Sequence, residues 1–265
     1  MVMSMQSSKS FLLFEENDRL LVRLYAALSL RPVISEIAQA FTRKYKIPIR
    51  LELDYADLLR ERILGGEKAD IFVTDDLHNP TALMQASKSS PVVNFVNNRI
   101  CAIAKPGISV TSDTLLDAML DPKIRLGISA PKPNLIEDYA QTVFHQAEKF
   151  RLGSFETLNN KALHLIGGSN YPVMSDKKNR FAYFILETQQ VDIFLSYYTD
   201  ARLAHLAAPS LQIIELSENL AVHVNYGMTI INNSHSAVVT LAMYILSLDG
   251  QSILAKYGLN TSVIG

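Results

Sequence analysis

Apolar and polar positions along this chain follow two periods in turn, and the changes of period mark out its elements. Residues 20–25 (LLVRLY) are short and aliphatic, as a strand buried on both faces should be. Val33, Ile34, Ile37, Ala38 and Phe41 then recur at spacings of one, three and four, which places them on one face of a helix. Ile49, Leu51 and Leu53 alternate with Arg50 and Glu52, a strand pattern. Leu59 and Ile63 fall on a short helix closed by Gly65-Gly66. Residues 71–73 predict a third strand, which ends in Thr74-Asp75-Asp76. The chain up to residue 76 therefore reads as a βαβαβ unit.

A second unit of the same kind is expected further along: 124–128 as strand, 136–150 as helix, 162–166 as strand, 180–186 as helix and 191–195 as strand. Between the units, 99–104 (RICAIA) predicts a strand that ends at Lys105-Pro106-Gly107, and 221–231 predicts a long strand. These two segments read as paired crossings between two lobes. Val238, Val239, Ala242, Ile245 and Leu246 form a further helix face, and Ile253, Leu254 and Tyr257 a last one before Gly258. The expected organisation is an N-terminal extension over 1–18, a first lobe over 19–97, a second lobe over 98–227 and a return to the first lobe over 228–265. The fold class is α/β, with two Rossmann-like lobes joined by two crossing strands.

Composition narrows the function. The 265 residues carry 25 Lys and Arg against 26 Asp and Glu, so no general electrostatic drive toward nucleic acid or an anionic membrane exists. The single cysteine, Cys101, excludes an intramolecular disulfide and a cysteine-based zinc cluster, and its place in a strand predicts a buried, inert thiol. Long uninterrupted apolar runs are missing, so no direct membrane insertion is expected. The first 17 residues hold one short apolar patch, 11–14, without the basic start and small-residue cleavage site of a secretory signal. An exported protein whose signal has been removed and an internal one both fit that segment.

In an open parallel sheet, ligands sit outside the carboxyl ends of the strands. Here those loops hold Ala27-Leu28-Ser29, Asp54-Tyr55-Ala56-Asp57, Thr74-Asp75-Asp76, Ser129-Ala130-Pro131 and Ser196-Tyr197-Tyr198, which are expected to converge on a cleft between the lobes. Ser29 opens a helix with Pro32 in its first turn and is expected to act as an N-cap, beside amides that suit an anion. Asp54, Asp57, Asp75 and Asp76 are turn and capping residues on one reading and a cation or amine site on another. Tyr197 follows a buried strand and presents a hydroxyl. The six histidines are scattered, with no metal-binding i, i+4 pair, and Gly167-Gly168-Ser169 is too short for a phosphate loop.

The segments Tyr25-Ala26-Ala27-Leu28-Ser29-Leu30, Ala69-Asp70-Ile71-Phe72-Val73 and 249–259 resemble the periplasmic molybdate-binding proteins of ABC transporters, which have the type II solute-binding fold. Tyr139-Ala140 and Tyr197 with Asp200-Ala201 fit that family's order, and the resemblance covers roughly residues 20–260. It implies two lobes closing on a tetrahedral oxyanion, molybdate or tungstate, held by hydroxyl and main-chain N–H donors, with an ABC permease as partner. The family's first Ser is present as Ser29 and its second-lobe Tyr as Tyr197. Its other contact positions fall on Ala56, beside Asp57, and on Asp75, Ile136 and Asn179, all departures from the family pattern. Arg31 and Arg180 are the cations nearest in sequence to offset the two carboxylates.

The expectation is thus a solute-binding protein, not an enzyme, with no cofactor, monomeric, and periplasmic if exported or cytoplasmic if not. Two other classes stay open: the same fold bound to a cation, amine or organic solute, and an intracellular ligand sensor. The sensor reading calls for a DNA-binding element, and the first 20 residues hold no basic patch or helix-turn-helix. An enzyme would place a nucleophile and base at the cleft, and the candidate residues include no His or Cys.

Overall fold

The computed structural model describes residues 21–129, 139–166 and 179–261. In chain order its elements are β1 (Val22–Ala27), α1 (Arg31–Tyr45), β2 (Ile49–Asp54), α2 (Ala56–Leu64), β3 (Ile71–Thr74), α3 (His78–Gln85) and β4 (Val93–Ala104). There follow α4 (Leu115–Leu120), β5 (Leu126–Ser129), α5 (Tyr139–Phe150), α6 (Ser154–Lys161), β6 (Leu163–Ile166) and α7 (Arg180–Ala182). The chain ends with β7 (Ile193–Tyr197), α8 (Tyr198–Ala207), β8 (Gln212–Glu215), β9 (His223–Ile230), α9 (Ser236–Leu246) and α10 (Leu248–Lys256). The chain divides into two compact units, Met1–Asn97 with Asn225–Gly265, and Asn98–Val224. It passes from one to the other within β4 and back within β9. The return comes at Asn225 rather than at 228, because Gly227 already pairs with Thr74 of β3.

In the first unit β1 lies between β2 and β3, parallel to both, and β9 pairs antiparallel with β3. The helical periodicity over 33–41 is realised in α1, where Val33, Ile34, Ile37, Ala38 and Phe41 are buried. Lys46 closes α1 in the left-handed conformation (φ 59°), and its amide donates to the Thr42 carbonyl. Beneath α2 and α3, Tyr25 and Phe72 pack with Leu59, Ile63 and Leu83. Gly227 sits where a side chain has no room, since a Cβ would lie 2.6 Å from Pro80 Cγ and 2.8 Å from the Asp76 carbonyl.

In the second unit β5 lies between β6 and β7, parallel to both, and β4 pairs antiparallel with β7 and β8. Its core gathers Ile103, Leu126, Ile128, Phe144, Phe181 and Phe194. Cys101 is fully buried in β4, and burial pushes its thiol well above the ordinary range, as an inert cysteine requires. Immediately before β7, beside the start of β5, Asp192 is 2% exposed. It accepts from the Arg125 amide at 2.8 Å, from Arg125 Nε at 2.9 Å and Nη2 at 2.7 Å, and from Lys105 Nζ.

Several boundaries differ from the sequence reading. The strand expected at 124–128 begins at Leu126, after Ile124 has donated its amide to the Asp121 carbonyl in a turn. The helix expected over 180–186 is one α turn that runs into a π-helix, Tyr183–Glu187. On α9 the expected apolar face is split, since Val238, Ala242 and Ile245 are buried while Val239 is 52% exposed. The sequence pattern also passes over β8, α3, α4 and α6, which are short, and α8, whose leucines face outward.

Candidate functional site

Because β1, β2 and β3 are parallel neighbours, their carboxyl ends and the helix starts that follow lie along one edge of the first unit's sheet. Ala27 is level with Asp54 in the register, and Ala26 with Val73. The sequence-predicted residues Ser29, Ala56, Asp57 and Asp75 therefore share this edge. Helix α2 starts from Tyr55 with no side-chain cap, and Asp57 places a carboxylate in its first turn, where it offsets part of the positive end of the dipole. Ala56 opens this helix and can offer only its backbone and methyl group.

Ser29 is not the N-cap that its position beside Pro32 predicts. It lies inside a 3-10 turn, Leu28–Leu30, and Leu30 holds the cap position of α1 in a helical conformation. Pro32 has no N–H, so one of the amides that a serine cap would serve does not exist. The exposed Ser29 hydroxyl instead donates to Asp75 Oδ2 at 2.7 Å. The residues are 46 positions apart, and no local pattern announces their meeting.

The other carboxylates on this edge are engaged by main-chain donors. Asp54 Oδ1 accepts from the Tyr55 amide at 2.8 Å, and Asp57 Oδ1 from the Leu58 amide at 3.0 Å. The capping role belongs to Asp76, which accepts from the Asn79 amide at 2.6 Å and from Asn79 Nδ2 at 2.9 Å. Burial raises the Asp76 carboxyl above the usual range, opposed by these two hydrogen bonds. Arg60 Nη1 extends the network by donating to Asn79 Oδ1 at 2.8 Å. Among the described residues no group of three or more His, Cys, Asp or Glu is arranged to hold a metal ion.

In the second unit Tyr197 ends β7 in extended conformation and precedes α8, which has no side-chain cap. Its ring centroid lies 5.0 Å from that of Tyr139, whose hydroxyl donates to the Leu195 carbonyl at 3.3 Å. Asn179 caps α7, its Oδ1 accepting from the Phe181 and Ala182 amides at 3.0 and 3.1 Å. Ile136 and the 167–169 segment lie outside the described residues. Arg180 Nη2 reaches Asp200 at 3.4 Å, and Arg31 is exposed at the start of α1. Two long-range contacts that the sequence does not signal hold the β7–α8 junction. The Arg99 guanidinium lies 3.4 Å from the Tyr198 ring centroid while bonding to Glu215 through two nitrogens, and Asn98 Nδ2 donates to Thr199 Oγ1 at 3.0 Å.

Residues 22–260 match the family model described as bacterial extracellular solute-binding protein. The chain belongs to this family. It is 28% identical over 206 residues to the uncharacterized protein PM1146 of Pasteurella multocida (strain Pm70), covering 77% of this chain and 85% of that one. Among solved structures it is similar to a substrate binding domain assigned to a molybdenum ABC transporter from Clostridium difficile. That match has a TM-score of 0.70 at 17% identity, over 91% of this chain and 98% of the other. It is also similar to iron-bound HitA from Pseudomonas aeruginosa, with a TM-score of 0.66 at 15% identity, over 89% of this chain and 84% of the other. These likenesses show the fold, the two-lobed α/β architecture of periplasmic binding proteins.

Proposed function

We propose that this protein is the periplasmic receptor of an ABC importer and that its ligand is a small anion carrying at least one hydrogen-bond donor. A monoprotonated oxyanion such as hydrogen phosphate and a hydroxylated organic acid both belong to this class. The observation that carries the reading is the Ser29 to Asp75 hydrogen bond. In that pair the serine proton is committed to a carboxylate, so what the pair offers a ligand is mainly acceptor oxygen. A ligand with only acceptors meets repulsion there, whereas a ligand with a hydroxyl can donate to Asp75. At the start of α2 the Ala56 amide, with Asp57 following it, is the contact we propose for the ligand's anionic end. Tyr197, Asn179 and Ile136 are the contacts we propose in the second unit, on the family resemblance. Binding requires no covalent chemistry and no resident cofactor. A permease would receive the solute.

The fully deprotonated molybdate or tungstate ion is the second reading, supported by the likeness to the molybdenum transporter domain. Calorimetric titration of the full chain with hydrogen phosphate, small hydroxy acids and molybdate distinguishes the two. The expected result is saturable binding of a donor-bearing anion that falls at least tenfold in a Ser29→Ala, Tyr197→Phe double variant whose unliganded unfolding temperature is unchanged. Binding of molybdate or tungstate alone would overturn the donor requirement, and unaltered affinity in the double variant would remove the site assignment.

A further inference from the structure

Helix α9, Ser236–Leu246, contains no charged residue, yet part of it faces outward: Val239 is 52% exposed and Met243 61% exposed, with Leu248 at the start of α10 63% exposed. A surface helix normally turns a charged face to water. Val239 and Met243 are four residues apart and so stand one above the other, about 6 Å along the axis, as a stripe rather than as scattered side chains.

Where the chain enters the described region identifies an occupant. The carbonyl of Leu21 lies 3.2 Å from Nε2 of His235, the residue that immediately precedes α9. The chain therefore enters the described region beside the N-terminal end of this same helix, and 20 residues of the sequence precede Leu21. They contain one apolar cluster, Phe11-Leu12-Leu13-Phe14, seven residues upstream of Leu21 at its near end. Seven residues reach at most about 23 Å, more than the length of α9 requires. The start of α9 has no acidic residue in its first turn, where negative charge is favoured, and the sequence between the cluster and Leu21 includes Glu15, Glu16 and Asp18. His235 Nδ1 is buried at this point with no hydrogen-bond partner among the described residues.

We propose that residues 11–14 of this chain dock on the exposed stripe of α9 formed by Val239 and Met243 and continued by Leu248. The segment then acts as an added apolar cover over a helix that the rest of the first unit leaves half uncovered.

Cys101 is fully buried, so paired cysteines can be cross-linked in the full-length protein without competition from it. The experiment treats a Leu12→Cys, Met243→Cys variant with a short bis-maleimide. A Leu12→Cys, Leu152→Cys variant serves as control, because Leu152 is 92% exposed and belongs to the other unit. The expected result is an intramolecular link at least tenfold more abundant in the first variant than in the control. Equal linking in both would overturn the proposal, as would links formed only between molecules, which would assign the stripe to a second copy. A Phe11→Ser, Phe14→Ser variant adds a second measurement. Docking predicts faster amide exchange along α9 and an unfolding temperature lower by about 4 °C or more. Unchanged exchange in α9 would overturn the proposal, and loss of anionic-vesicle binding as the sole effect would assign the segment to a membrane surface instead.

Discussion

Replacing Asp75 by Asn changes one charge at the proposed site and little else, since Asn has the same shape and its side-chain oxygen can still accept the Ser29 hydroxyl. A ligand atom within hydrogen-bond distance of Ser29 Oγ lies about 5 Å from the Asp75 carboxylate, given the 2.7 Å between the two side chains. Two unit charges at that distance interact by about 3 kcal/mol at an effective dielectric of about 20 and by about 1 kcal/mol in bulk water. Asp75 is half-buried beside an exposed serine, so about 2 kcal/mol per unit of ligand charge is the working value. Removing it should tighten molybdate binding by about 30-fold or more. The same variant removes a charged acceptor from a donor-bearing ligand, which should weaken that ligand by about 10- to 100-fold. Isothermal titration at low and at high salt reads both effects, and the gain for molybdate should shrink as salt screens the charge. Molybdate affinity that stays constant or falls in Asp75→Asn would refute the reasoning, because the carboxylate would then play no repulsive part.

Three further outcomes follow from the fold. Asp192→Asn should lower stability by about 2–4 kcal/mol, less than for a fully enclosed ion pair because Arg125 and Lys105 still reach water, and differential scanning calorimetry would show the loss as a lower unfolding temperature. Arg125 first and then Lys105 hold the Asp192 carboxyl well below its ordinary value, so its contribution is complete above the usual carboxylate range. It is lost only as pH falls further, and the gap between parent and variant should stay constant down to about pH 4 and close below it. Gly227→Ala should cost about 2 kcal/mol, because the added methyl meets the Asp76 carbonyl and Pro80 in a paired strand that cannot yield cheaply, and urea unfolding measures it. Burial and the Glu67 carboxylate push the Tyr25 phenol up to about 12, so ultraviolet titration should show a late-ionising tyrosine that disappears in a Tyr25→Phe variant. Its stabilising share is complete below about pH 10 and is lost as pH rises through about 12.

The elements that the sequence made legible are those whose burial follows a simple period. The stripe from Val33 to Phe41 became α1 because it buries one helical face, and the aliphatic run at 71–73 became β3 because every position of that strand is buried. Where burial has no period, the reading stopped short. Helix α8 exposes Leu203 and Leu206 and buries only Ala201 and Ala204, so its apolar residues point the wrong way for a pattern to find. At the site, loop membership was readable and bonding was not. That Ser29 and Asp75 stand at the ends of adjacent strands follows from βαβ connectivity. That the hydroxyl turns to Asp75 instead of capping α1 depends on a 3-10 turn and a first-turn proline acting together. The Asp76 cap on Asn79 was within reach of the sequence, since Asp three residues before Asn at a helix start is a local signal. Arg99 against Tyr198 and Glu215 joins β4 to two consecutive elements far along the chain, α8 and β8, and leaves no local trace.

The most direct test of the account is a thermal-shift panel on the full-length protein. It would use hydrogen phosphate, small hydroxy acids, molybdate, tungstate, sulfate, amino acids and divalent cations, each at saturating concentration. A ligand at about 100 times its dissociation constant adds about 2.7 kcal/mol, which for a protein of this size is a rise of about 5–11 °C. The account predicts such a rise with an anion that bears a hydrogen-bond donor and none with sulfate, which has only acceptors at neutral pH. A rise confined to molybdate, tungstate and sulfate would contradict it.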